Sequence, residues 1–82
     1  MDGEQAAGDP RVVFGQRLRE VRRARGVSQE ALALNAGLDR TYVSSCERGH
    51  RNISIVNIYR LATALGVDPA ELVRRSGGPV PD

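Results

Sequence analysis

Arg40, Thr41, Ser44 and Ser45 fall within a span of six residues, and together they carry hydrogen-bonding groups suited to the edges of DNA bases. The planar guanidinium of Arg40 can bond guanine O6 and N7 at once, a contact worth about 1–3 kcal/mol of discrimination. Its plainer alternatives are a phosphate contact or a surface ion pair. Thr41 offers a hydroxyl to a base or a methyl to thymine, or is an ordinary helix-surface residue. Ser44 and Ser45 keep the segment slim enough to enter a groove, and either can touch a base or a phosphate. Tyr42 can stack on a sugar or bond a phosphate through its hydroxyl; packing between helices is the competing role. Arg48, Arg51 and Asn52 read as phosphate contacts, with Arg51 also able to reach a base, or as solvated loop residues. Catalysis has no comparable support, because the folded segment lacks a nucleophile–base constellation, a glycine-rich phosphate loop and metal-ligand spacing. Cys46 is the only cysteine and His50 the only histidine, which leaves no intrachain disulfide and no cysteine-cluster metal site. Neither a cofactor nor a metal is expected.

These side chains need a short helix to present them. Asp39 is a suitable cap for a helix over 40–48, which Gly49 closes. Before it, Ser28 caps a helix of about two turns that buries Leu32, Ala33 and Ala36 and ends at Gly37. Two short helices joined by a tight glycine turn make a helix-turn-helix, whose second helix presents its N-terminal residues to the major groove while the first crosses the backbone. Val43 and Cys46, at i and i+3, belong to the inner face of the second. Around this pair, a first helix over 12–25 buries Phe14, Leu18 and Val21 and stops at Gly26. A fourth helix, capped by Ser54 and ended by Gly66, carries an apolar stripe of Ile55, Ile58, Leu61, Ala62 and Leu65. Asp68-Pro69-Ala70-Glu71 starts a fifth with cap, first-position proline and the glutamate of a capping box. No strand-like alternation appears.

Charge is unevenly spread. The twelve basic residues are all arginine and lie within 11–75, against six acids there, an excess of +6 that suits a polyanionic partner. Residues 1–10 carry Asp2, Glu4 and Asp9 and read as a disordered lead-in; 76–82, with Gly77-Gly78-Pro79 and Pro81, read as a flexible tail. One domain over 11–75 remains, small enough that self-association is a natural source of extra stability. Val56 and Tyr59 fall off the fourth helix's stripe, and Leu72 and Val73 offer more apolar area than five small helices need; these four are the candidate dimer surface, unless they close the monomer core. No apolar run approaches the roughly 20 residues of a membrane span, and the N-terminus lacks signal-peptide features. A cytoplasmic protein with no membrane partner is expected.

The string Gly26-Val27-Ser28-Gln29-Glu30-Ala31-Leu32-Ala33, then Ala36-Gly37-Leu38, Val43-Ser44 and Glu47-Arg48-Gly49, resembles the phage-repressor-like (Xre/Cro type) helix-turn-helix regulators. The likeness continues through Leu61-Ala62-Thr63-Ala64-Leu65-Gly66-Val67. Residues 39–44 and 47–52 are more narrowly similar to the controller proteins of restriction-modification systems, small dimeric regulators that time expression of the endonuclease and often of their own gene. The resemblance implies an all-α, five-helix DNA-binding domain acting as a homodimer on a palindromic operator in double-stranded DNA. It implies that Gln29 anchors a phosphate at the helix N-terminus, that Tyr42 helps hold the backbone, that Arg22 and Glu47 form a structural ion pair, and that the C-terminal region dimerises. With no separate ligand domain, no small-molecule effector is expected. The alternative is an antitoxin-like protein whose main partner is a protein toxin, for which Leu34, apolar on the outer face of the second helix, is the one hint.

Overall fold

The computed structural model describes residues 8–75; most of the expected lead-in and all of the expected 76–82 tail lie outside the described residues. Among the described residues the chain runs through five helices, α1 (Pro10–Ala24), α2 (Gln29–Ala36), α3 (Arg40–Glu47), α4 (Ile55–Leu65) and α5 (Pro69–Val73), with no strand.

Each helix is started by its own sequence. Ser28 accepts from the Ala31 N–H at 3.0 Å, Asp39 from Thr41 at 3.2 Å, Ser54 from Asn57 at 3.1 Å and Asp68 from Ala70 at 2.9 Å, satisfying donors that have no partner inside the helix. The first helix starts earlier than about residue 12: Asp9 caps it, accepting from the Arg11 N–H at 2.9 Å, and Pro10 fills its first turn. In the α2–α3 turn Gly37 sits at φ +71°, and the Leu38 N–H reaches back to the Ala33 carbonyl at 2.8 Å, so the chain reverses within three residues at no steric cost. Glu71 departs from the capping-box expectation. Its carboxylate turns away to accept from Arg17 Nη2 at 2.9 Å, and its carbonyl accepts from Arg17 Nε at 2.6 Å, fastening α5 to α1.

All five helices contribute to one core, in which Leu18, Leu32, Val43, Cys46, Leu61 and Leu72 are fully buried. Two expectations about apolar residues are corrected here. Leu72 lies at the centre of this core, where α5 packs on α1 and α4, and is therefore absent from any dimer surface. Ile55, assigned to the inward stripe, is 65 % exposed; it opens α4, where the neighbouring helices no longer cover that face.

The α1–α3 crossing depends on a residue that the periodicity does not single out. A Cβ on Gly15 would lie 2.4 Å from the Cys46 carbonyl oxygen and 2.7 Å from that of Glu47. Only glycine lets the two backbones approach so closely, which fixes the height of α3 above α1.

Candidate nucleic-acid interface

The outward face of α3 carries Arg40, Thr41, Ser44 and Arg48, while Val43 and Cys46 are fully buried beneath. Arg40 and Thr41 are exposed in the first turn; Ser44 is half-buried and accepts from Arg48 Nη1 at 2.5 Å. Ser45 is a correction to the reading face. It is only 7 % exposed, its hydroxyl donates to the Tyr42 carbonyl at 2.9 Å, and it accepts from Arg51 Nε at 2.9 Å. The loop after α3 folds back and covers it, so it has no access to a base.

That loop has its own organisation. The exposed Arg51 guanidinium stands over the Tyr42 ring, 5.1 Å from Cζ to the centroid, a cation–π geometry. Tyr42 Oη accepts from Asn57 Nδ2 of α4 at 3.0 Å. Asn52 and His50 are exposed beside it. No local sequence signal marks Asn57 as a partner of the phenol. It lies fifteen residues from Tyr42, and its main-chain N–H already serves the Ser54 cap.

A second polar cluster anchors the other end of α3. Glu47 Oε2 accepts from Arg22 Nε at 2.5 Å and Oε1 from Arg22 Nη2 at 3.0 Å, a bidentate pair, while Arg22 Nη1 donates to the Val27 carbonyl at 2.9 Å. The side chains are 11 % and 3 % exposed. Hydrogen bonding to the Glu47 carboxylate raises the Arg22 pKa above its already high value. Gln29, half-buried in the first turn of α2, donates Nε2 to Glu47 Oε1 at 3.0 Å. The structure thus brings Arg22, Glu47 and Gln29 into one network and Tyr42, Ser45 and Arg51 into another, with the exposed α3 face between them.

The candidate dimer residues are split. Val56, Tyr59 and Val73 are 58 %, 56 % and 56 % exposed, and Ile55 joins them; Leu72 does not. Among the described residues no three His, Cys, Asp or Glu side chains gather where they could hold a metal ion, and no helix is long and apolar enough to cross a membrane.

The helix-turn-helix family model matches residues 18–72. The control protein C.BamHI of Bacillus amyloliquefaciens is 47 % identical over 64 residues, covering 77 % of this chain and 79 % of its own. The crystal structure of the restriction-modification controller protein C.AhdI from Aeromonas hydrophila superposes with a TM-score of 0.74 at 63 % identity, over 76 % of this chain and 94 % of that one. A hypothetical transcription factor from Neisseria superposes with a TM-score of 0.80 at 44 % identity, over 85 % and 80 % of the two chains.

Proposed function

We infer that this chain, which belongs to the helix-turn-helix family matched over residues 18–72, is a sequence-specific regulator of transcription that binds double-stranded DNA as a homodimer. The observation that carries the reading is the two-sidedness of α3: its inner residues are fixed in the core, and its N-terminal outer face offers Arg40, Thr41 and Ser44 to solvent. A helix so presented suits the major groove, where base edges form a distinct donor and acceptor pattern. Arg40 and Thr41 read bases, with Ser44 beside them. Gln29 grips a phosphate at the start of α2, where main-chain N–H groups also attract an anion, and Tyr42, Arg48, Arg51 and Asn52 hold the backbone on the other side.

Dimerisation uses the exposed apolar side chains of α4 and α5, Ile55, Val56, Tyr59 and Val73, each more than half exposed in the single chain. The relatives named as control or controller proteins support a role in regulating a restriction-modification system. Leu34, 80 % exposed on α2, favours a second, antitoxin-like reading, which recovery of the chain in a stable complex with a neighbouring gene's product would support.

The test is selection from a randomised duplex library, with the oligomeric state measured by sedimentation. The expected winner is a two-fold symmetric site whose half-sites lie about 34 Å apart, bound by two copies. Binding without sequence preference, or a monomer on a single half-site, would overturn the reading.

A further inference from the structure

We propose that Ser45 and Asn57 are positioning residues that fix Tyr42 and the Arg51 guanidinium in their DNA-contacting arrangement before DNA arrives. The proposal rests on the reading of Tyr42 and Arg51 as DNA contacts given above.

An arginine on an exposed loop ordinarily samples many rotamers, and ordering such a side chain on binding weakens affinity by about two- to twelvefold. Arg51 is held from two directions. From α3, the Ser45 hydroxyl spends its proton on the Tyr42 carbonyl at 2.9 Å and so faces Arg51 as an acceptor, taking Nε–H at 2.9 Å. Beneath the guanidinium lies the Tyr42 ring, 5.1 Å away. The ring cannot swing freely, because Asn57 Nδ2 donates to its hydroxyl at 3.0 Å, and Asn57 is itself anchored by its main-chain N–H to the Ser54 cap at 3.1 Å. The chain of contacts joins α4 to α3 and α3 to the loop.

Among the described residues, only the Nε–H of Arg51 is consumed. The two terminal amino groups keep their four N–H donors for an outside acceptor, as a fork of fixed plane. Asn57 donates to Tyr42, so the phenol retains its own proton for donation. Ser45 and Asn57 therefore contribute to DNA binding without touching DNA. Arg40 provides the internal contrast, since it is exposed and makes no hydrogen bond or ion pair within the described residues.

The test has two arms on the full chain, with circular dichroism confirming that Ser45→Ala and Asn57→Ala remain folded. In the free protein, ¹⁵N relaxation of the arginine Nε–H groups should find Arg51 markedly more ordered than Arg40. Either substitution removes one of the two holds and should lower the order of Arg51 part of the way toward that of Arg40. On the selected duplex, Ser45→Ala should weaken binding about two- to twelvefold, and by less than about twofold when Arg51 is already alanine, because the two act as one unit. An Arg51 as mobile as Arg40 in the unsubstituted protein would overturn the proposal. So would equal losses for Ser45→Ala in both backgrounds. If no duplex is selected, the regulatory reading falls by itself, and the relaxation arm still decides whether Ser45 and Asn57 hold Arg51. Tyr42→Phe, which keeps the ring and removes only the Asn57 link, should give a partial loss of Arg51 order.

Discussion

Replacing Glu47 with glutamine keeps the shape of the side chain and removes its charge, leaving the Arg22 guanidinium without a counterion. Glu47 accepts three hydrogen bonds, two from Arg22 and one from Gln29. The glutamine amide can accept at one end only and must set a donor against a donor at the other. Breaking a buried pair by removing one partner costs about 3–5 kcal/mol. Arg22 retains the Val27 carbonyl and some solvent contact, so the lower end applies, about 3 kcal/mol. For a domain this small, whose whole stability is about 0.05–0.15 kcal/mol per residue, that is a large share. Urea unfolding followed by circular dichroism, with a slope of about 1 kcal/mol per molar, should show the midpoint lowered by about 3 M or the variant already unfolded. A loss under about 1 kcal/mol would place the pair with ordinary surface salt bridges and refute the argument. The double variant Arg22→Met with Glu47→Leu should recover most of the loss, since apolar side chains of similar volume often replace a buried pair without penalty. A double variant as unstable as the single one would show that the cost does not come from an unpaired charge.

Gly15→Ala drives a methyl into the Cys46 and Glu47 carbonyls and should cost about 1–3 kcal/mol as overpacking, lowering the melting temperature by several degrees; an unchanged melt would mean that the α1–α3 spacing is adjustable. Arg40→Ala should relax base choice by about 1–3 kcal/mol at one base pair, whereas Gln29→Ala should weaken binding alike on all duplexes; equal losses on selected and random DNA for Arg40→Ala would argue against a base contact. Burial pushes the Cys46 thiol above its ordinary pKa, so thiol reagents should modify it only at the rate of unfolding; rapid stoichiometric reaction in the native protein would contradict its place in the core. Asp9, bonded first by the Arg11 side chain and then by the Arg11 N–H, has its carboxyl lowered to about 2. Its support of the α1 start is therefore whole above the ordinary value of 3.8 and lost as pH falls through about 2; an Arg11 amide resonance titrating near the ordinary value instead would refute the capping role.

The local signals of this sequence locate the helices well, because caps and glycine stops act within four residues of where they stand. The early start of α1 is legible too, since Asp9-Pro10 repeats the cap-then-proline pattern of Asp68-Pro69. What local pattern could not locate were residues whose surroundings come from distant parts of the chain. Leu72 and Val73 are neighbours of equal apolar character, and only the packing of α5 on α1 and α4 separates the core residue from the exposed one. Ile55 fits the period of the stripe, yet periodicity carries no information about where the covering helices end.

Ser44 and Ser45 make the same point at the site itself. Adjacent helical residues point about 100° apart, and one remains on the open face while the other is closed over, not by the core but by Arg51 returning six residues later. α3 is consequently held by polar contacts between segments well separated in sequence: Glu47 to Arg22 and Gln29 at its C-terminal end, Tyr42 and Ser45 to Asn57 and Arg51 along its flank. The two clusters differ in burial, and that difference assigns them different consequences. The Arg22–Glu47 pair is enclosed, so its loss must destabilise the fold and release Gln29 together. The Arg51 cluster is only part-buried and its guanidinium stays open to solvent, so its loss leaves no enclosed charge unpaired and should register more in DNA binding than in stability. On the proposed roles, stability and DNA affinity are coupled around Glu47 and separable around Arg51, so substitutions that change affinity without endangering the fold should fall at Ser45, Asn57 and Arg51 rather than around Glu47.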